Sequence, residues 1–156
     1  MSEKIETYIA EFLSGDMRQT ALDFIAYLRE MGLTFYRDTS PCWKDKIYYW
    51  VKCGDACVCF IAIKDPDEPE NHWTVWSDDS DAYEDASVAE ELRETGWRYV
   101  DHCGNCGSCG GGKQKVIFGK KFDGVCGCTF RIDNAGTGEL LFLKTMTALR
   151  TRDFGR

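Results

Sequence analysis

The chain has 156 residues and a net charge of −7, with 44% apolar and 13% aromatic residues. This length and composition predict one globular domain with a sizeable core and exclude a disordered chain. No run approaches the ~18 apolar residues of a membrane-spanning helix, and the N-terminus lacks the apolar stretch of a signal peptide, so we expect a cytoplasmic protein with no membrane contact.

The charge is unevenly distributed along the chain. Residues 65–94 carry 12 acidic groups and one basic group, which is a net charge of −11, and residues 95–156 carry 10 basic and 5 acidic groups, which is +5. The broad basic excess that is typical of nucleic-acid binding is missing. The mildly basic C-terminal part still allows a small nucleic-acid contact.

The first third of the chain shows helical spacing followed by strand-favouring residues. Apolar residues recur every three or four positions over 3–13 and 17–31, which predicts two helices. Gly15 is predicted to end the first helix and Asp16 to cap the second. Further strands are predicted at 33–37 and 72–77, and a hairpin is predicted with strands 46–52 and 56–64 around a Gly54-Asp55 turn.

The second half mixes loops, strands and two further helices. Ser87-Val-Ala-Glu90 has the spacing of a capping box, which predicts a helix from there to Gly96. The other predicted elements are an acidic loop at 78–85, strands at 115–118 and 125–132 around a turn at 121–124, and a final helix at 139–152.

This element order predicts an α+β fold with a mainly antiparallel sheet. Hairpin connections dominate, so the helices should pack on one face of the sheet. The N-terminal helix pair, a cysteine-rich metal loop and the C-terminal helix complete the predicted domain. We expect a single domain over 1–156 that includes a metal-binding substructure at about 101–133.

Five of the nine cysteines lie within 26 residues of the second half. They form two overlapping C-x-x-C turns followed by a C-x-C pair: Cys103, Cys106, Cys109, Cys126 and Cys128. Thiolates at such spacing bind soft metals, so zinc is the predicted cofactor. Cys126 and Cys128 should share one face of a strand. Four thiolate ligands would leave no open position, so the site would be structural, with Cys128 as the predicted spare.

The same cysteines allow other chemistry. An iron–sulfur cluster or a thiol redox pair is the alternative to zinc, and His102 could replace one of the thiolates as a ligand. A second metal site formed by Cys42, Cys53 and Cys57 is a further alternative. Cys57 and its neighbour Cys59 are predicted mainly as small buried residues on one face of their strand.

An aromatic face is the second candidate site. Tyr48 and Trp50 share the side of strand 46–52 opposite to Tyr49, and Trp76 lies in a later strand. Such a face either binds a small ligand or protein partner, or belongs to a second layer of core. Acidic residues after Trp76, including Asp78, could add a rim that attracts cations.

The sequence contains no recognisable catalytic arrangement, so no catalytic residue is predicted. The predicted function is a non-enzymatic zinc-binding domain whose aromatic face binds a small ligand or a protein. The alternatives are the redox protein described above and a zinc-ribbon module that binds nucleic acid, which the overall acidity disfavours. That module would use four lysines, Lys113, Lys115, Lys120 and Lys121.

The second half resembles a group of small uncharacterised bacterial proteins. The resemblance lies in Cys103-Gly-Asn-Cys-Gly-Ser-Cys109, Val116-Ile-Phe-Gly-Lys120 and Cys126-Gly-Cys-Thr-Phe-Arg-Ile-Asp133, about a third of the chain. It implies a bacterial cytosolic origin, and no established activity comes with it.

Overall fold

A computed structural model describes residues 4–38, 46–64, 70–78, 80, 82–102 and 112–152. The helices in these residues are α1 (Ile5–Phe12), α2 (Gly15–Glu30), α3 (Ala82–Asp85), α4 (Glu90–Arg98) and α5 (Thr137–Arg152). The strands are β1 (Thr34–Arg37), β2 (Ile47–Cys53), β3 (Ala56–Lys64), β4 (Thr74–Ser77), β5 (Val100–His102), β6 (Lys113–Ile117) and β7 (Lys120–Asp133).

The described strands form one antiparallel sheet in the order β1-β2-β3-β4-β7-β5, and β6 also pairs with β7. The C-terminal end of β7 pairs with β4, and its remaining length pairs with β5 and β6. The predicted α+β fold with a mainly antiparallel sheet is therefore confirmed, as are the N-terminal helix pair and the C-terminal helix.

The two faces of the sheet differ. Residues paired in register share a face, and the row Tyr49, Ile61, Val75 and Ile132 is buried. The ring of Tyr8 in α1 packs on Tyr49, and both α1 and α5 contact β3, so this row faces the helices. Burial of these apolar side chains against α1, α2 and α5 supplies the main core.

A cluster of aromatic rings extends the core beneath α4. The ring of Phe130 lies 5.0 Å from Tyr83, 6.0 Å from Phe118 and 5.2 Å from Phe142, measured between centroids. Gly96 lies inside α4, where a Cβ atom would be 2.7 Å from the Phe118 ring. The prediction that Gly96 ends this helix is wrong, because the glycine instead permits close packing of the helix on the rings.

The start of α4 and two turns also differ from the predictions. The helix begins at Glu90 behind Ala89, which makes no side-chain cap, so Ser87 does not open it. The turn between β6 and β7 lies at Phe118-Gly119, both with positive φ (49° and 82°), rather than at 121–124. Gly124 lies within β7, and the predicted acidic loop contains α3.

Asp16 caps a different helix from the predicted one. Gly15, with φ of 61°, is the first residue of α2, and Ser14 precedes it without a side-chain cap. The Asp16 carboxylate instead accepts hydrogen bonds from the backbone N–H of Thr137 (2.8 Å) and from its hydroxyl, at the start of α5. These two bonds lower the pKa of Asp16, and they join the N-terminal helices to the C-terminal one.

Candidate functional site

Cys126 and Cys128 lie side by side on β7. Both are half-buried reduced thiols, and their side chains are in hydrogen-bond contact, as their two-residue spacing on a strand predicts. Burial, with smaller contributions from Cys126, Asp78 and Asp101, raises the pKa of Cys128 to about 12. The thiol therefore keeps its proton unless a cation displaces it.

Both ends of the segment that carries the other clustered cysteines are held at the same point of β7. Val125 pairs with His102 of β5 and with Lys113 of β6. Gly112 approaches so closely that a Cβ atom there would be 2.6 Å from the Gly124 carbonyl carbon. The residues between these ends, including Cys103, Cys106 and Cys109, lie outside the described part of the chain.

The described residues alone do not form a complete metal site. In this part of the chain, no three His, Cys, Asp or Glu side chains are grouped so that they could hold a metal ion. A complete metal site would therefore need ligands from outside the described residues. The second metal site considered above, from Cys42, Cys53 and Cys57, includes a residue outside the described part of the chain, Cys42.

A bend in β7 fixes the backbone beside the cysteine pair, and sequence reasoning missed it. Thr129 has a φ of 68°, which is rare for a β-branched residue. The ammonium group of Lys115 donates a hydrogen bond to its hydroxyl (3.0 Å). The Ser77 hydroxyl donates to the Cys128 carbonyl and accepts from the Phe130 N–H at 3.2 Å. Nothing in the local sequence marks Thr129, because the bend depends on partners from other strands.

The cysteines of β3 are separated by a register shift. Cys59 is fully buried, as predicted, whereas the shift between Val51 and Lys52 places Cys57 opposite Lys52. Cys57 and Cys59 therefore do not share a face, contrary to the prediction. Burial raises the pKa of Cys57 to about 12, with Asp78 adding to the effect, so this thiol is neutral at physiological pH.

A row of aromatic side chains crosses four strands on the face opposite to the main core. The register pairs Tyr36 with Trp50, Trp50 with Phe60, and Phe60 with Trp76. We call these four residues the aromatic row. Trp50 and Phe60 contact each other edge to face at 5.1 Å between centroids. Tyr48 lies next to the row, 5.9 Å from Trp76, and is only 8% exposed.

Charges of both signs lie around the aromatic row, and the Trp50 indole N–H donates a hydrogen bond to the Asp38 carboxylate at 2.9 Å. Lys52 lies 5.7 Å from the Trp50 ring and Arg131 lies 5.5 Å from the Trp76 ring. Asp78 instead pairs with Arg150 of α5 at 3.5 Å. The expected cation-attracting acidic rim therefore does not involve Asp78, and the rings already hold cations of the protein itself.

Two of the four lysines considered for nucleic-acid binding are engaged within the protein. Lys115 donates to Thr129 and to the carbonyl oxygen of Cys126, and Lys120 lies 5.1 Å from the Trp97 ring. Lys113 and Lys121 are exposed. This engagement reduces the positive charge that a phosphate backbone could contact.

Comparison with known proteins provides no assignment. No protein family, curated protein or solved structure matches this chain. None of the helices in the described residues is long and apolar enough to cross a membrane.

Proposed function

We propose that the protein is a non-enzymatic zinc-binding domain. Cys126 and Cys128 would bind the metal together with two cysteines of the 103–111 segment, so in this proposal Cys128 is a ligand and not the spare cysteine. One observation carries this proposal: the two thiols contact each other where both ends of that segment meet β7. Adjacent thiols on a rigid strand suit a soft cation such as zinc.

A zinc ion bound by four thiolates has no coordination position left for water or a substrate. The role of such an ion is to hold the glycine-rich segment against β7. The neighbouring hydrogen bonds of Ser77 and Lys115 support this role, because they keep the backbone of β7 in place around the ligands.

The zinc content of purified protein tests the metal proposal. Wild-type protein, prepared without chelator and without a nickel-affinity step, should contain about one zinc per chain. Cys126→Ser and Cys106→Ser should lose most of it. Cys59→Ala is the control, because Cys59 is fully buried on β3, belongs to neither candidate metal site and should leave the zinc content unchanged.

Other outcomes of this measurement contradict the proposal. Iron with visible charge-transfer absorption would identify an iron–sulfur protein instead. Metal-free protein whose Cys126 and Cys128 form a reversible disulfide would identify a thiol redox protein. Zinc that survives Cys126→Ser unchanged would place the metal elsewhere in the chain.

We further propose that the aromatic row, with Tyr48, binds a small planar ligand or a protein partner. Three of its rings are half-buried and held by contacts across adjacent strands, so they need little ordering on binding. Lys52, Arg131 and Asp38 all lie beside the row, so its charges do not favour one sign of ligand charge over the other.

Ligand-observed NMR with indole and benzoate as probes tests this second proposal. Saturation transfer to the probes should be strong with wild-type protein and weak with Trp50→Ala and Trp76→Ala. Leu141→Ala is the control, because Leu141 is 62% exposed on α5, away from the row. Equal transfer in all variants would show that the row does not bind these probes.

A further inference from the structure

A cavity of about 410 Å³ lies at the edge of the sheet formed by β1. We call it the β1 cavity; residues at the start of α1, the end of α2 and along β1 line it, among them Lys4, Ile5, Arg29, Phe35, Arg37 and Tyr49. Its volume falls within the range of small-molecule sites. It shares no residue with the cysteine pair and only Tyr36 with the aromatic row.

The guanidinium of Arg29 is held rigidly at the cavity wall. It donates two hydrogen bonds to the Glu6 carboxylate, at 2.7 and 2.8 Å, and lies 4.7 Å from the centroid of the Phe35 ring. A side chain fixed in this way loses little freedom when a ligand binds.

Arg37 has unused hydrogen-bonding capacity. Its Nη1 donates to the Tyr8 hydroxyl at 2.7 Å, and its guanidinium lies 5.0 Å from the Tyr8 ring. Its Nε is buried and has no hydrogen-bond partner among the described residues. A buried donor without a partner is unfavourable, and an acceptor would satisfy it once the Arg37 side chain turned this N–H toward the cavity.

Charge and wall composition define the ligand class. Lys4, Arg29 and Arg37 carry three positive charges against the one negative charge of Glu6, which leaves the cavity region at +2. The half-buried Phe35 ring provides an apolar surface. A guanidinium donates to both oxygens of a carboxylate in one plane.

We propose that the β1 cavity binds a small organic carboxylate. The carboxylate pairs with the guanidinium of Arg37, and the apolar body of the ligand packs against Phe35. This site is independent of zinc, so its test does not depend on the metal proposal.

The test uses 3-phenylpropionate as the probe and its uncharged amide, 3-phenylpropanamide, as the comparison. Amide resonances of ¹⁵N-labelled full-length protein are followed during titration. With the carboxylate, we expect the chemical-shift changes to be concentrated in residues 34–37 and at Ile5. With the amide, we expect no chemical-shift changes at these residues.

Variants locate the contact. Arg37→Gln should weaken binding of 3-phenylpropionate about tenfold or more, because it removes a charge-assisted hydrogen bond. Arg37→Lys keeps the charge without the planar fork and should lose less. Lys144→Gln removes a cation from α5 outside the cavity and should bind as wild type does. Amide dispersion identical to that of wild type establishes that each variant is folded.

Several results would overturn the assignment. They are the absence of shifts at millimolar probe, equal binding of the amide, or wild-type affinity in a folded Arg37→Gln variant. An equal loss in Lys144→Gln would indicate attraction by overall charge only. Stronger binding of inorganic phosphate at the same residues would replace the carboxylate with a general anion site.

Discussion

Substituting Gly96 by alanine tests how closely α4 packs on the aromatic core. The added Cβ would lie 2.7 Å from Cε2 of Phe118 and 3.0 Å from Cε1 of Phe142. Both rings are buried, and both contact Phe130, so neither can move without disturbing a third ring.

Two effects of opposite sign determine the size of the change. In an unhindered helix, replacing glycine by alanine stabilises the fold by about 1 kcal/mol. Forcing an extra carbon into a packed core costs about 1–3 kcal/mol. Because two rings must shift to accommodate Gly96→Ala, we expect the upper part of this cost and a net destabilisation of about 1–2 kcal/mol.

Urea unfolding of wild-type protein and Gly96→Ala measures the effect. Gly138→Ala is the matched control, because Gly138 lies in the first turn of α5 with nothing within 4 Å of its added Cβ. The control should be as stable as wild type or slightly more stable. If Gly96→Ala matched the control, the close approach of α4 to Phe118 and Phe142 would be refuted.

Three further predictions follow from individual contacts. Thr137 lowers the pKa of Asp16 in the folded protein, so the stabilising effect of this carboxylate is present at neutral pH and is lost as the pH falls below about 4. The stability difference between wild type and Asp16→Ala should therefore shrink in acid. A difference that is independent of pH would contradict the cap. Trp73→Phe removes a buried indole hydrogen bond of 3.1 Å and should destabilise by about 1–3 kcal/mol in thermal unfolding; an unchanged melting temperature would show that this bond contributes nothing. Burial raises the pKa of Cys57 and Cys59. Iodoacetamide near pH 8 should therefore leave both thiols unmodified in native protein and label both in urea, as measured by mass spectrometry. Rapid labelling of either thiol in native protein would contradict this prediction.

Much of the fold is readable from local patterns in the chain. The helical spacing over 3–31 and the strand–turn–strand pattern over 46–64 agree with α1, α2, β2 and β3. Each of these patterns repeats within a few residues, and side-chain period alone determines which residues share a face. The same rule correctly brings Cys126 and Cys128 together.

The sequence by itself therefore determined the helix pair, the hairpin and the two-residue spacing of the thiol pair, since neighbouring residues control these features. Tertiary structure alone decided the role of Gly96, the cap from Asp16 to Thr137, the bend at Thr129 and the β1 cavity around Arg37. Each of these depends on a partner distant in the chain, and only packing determines which distant groups meet.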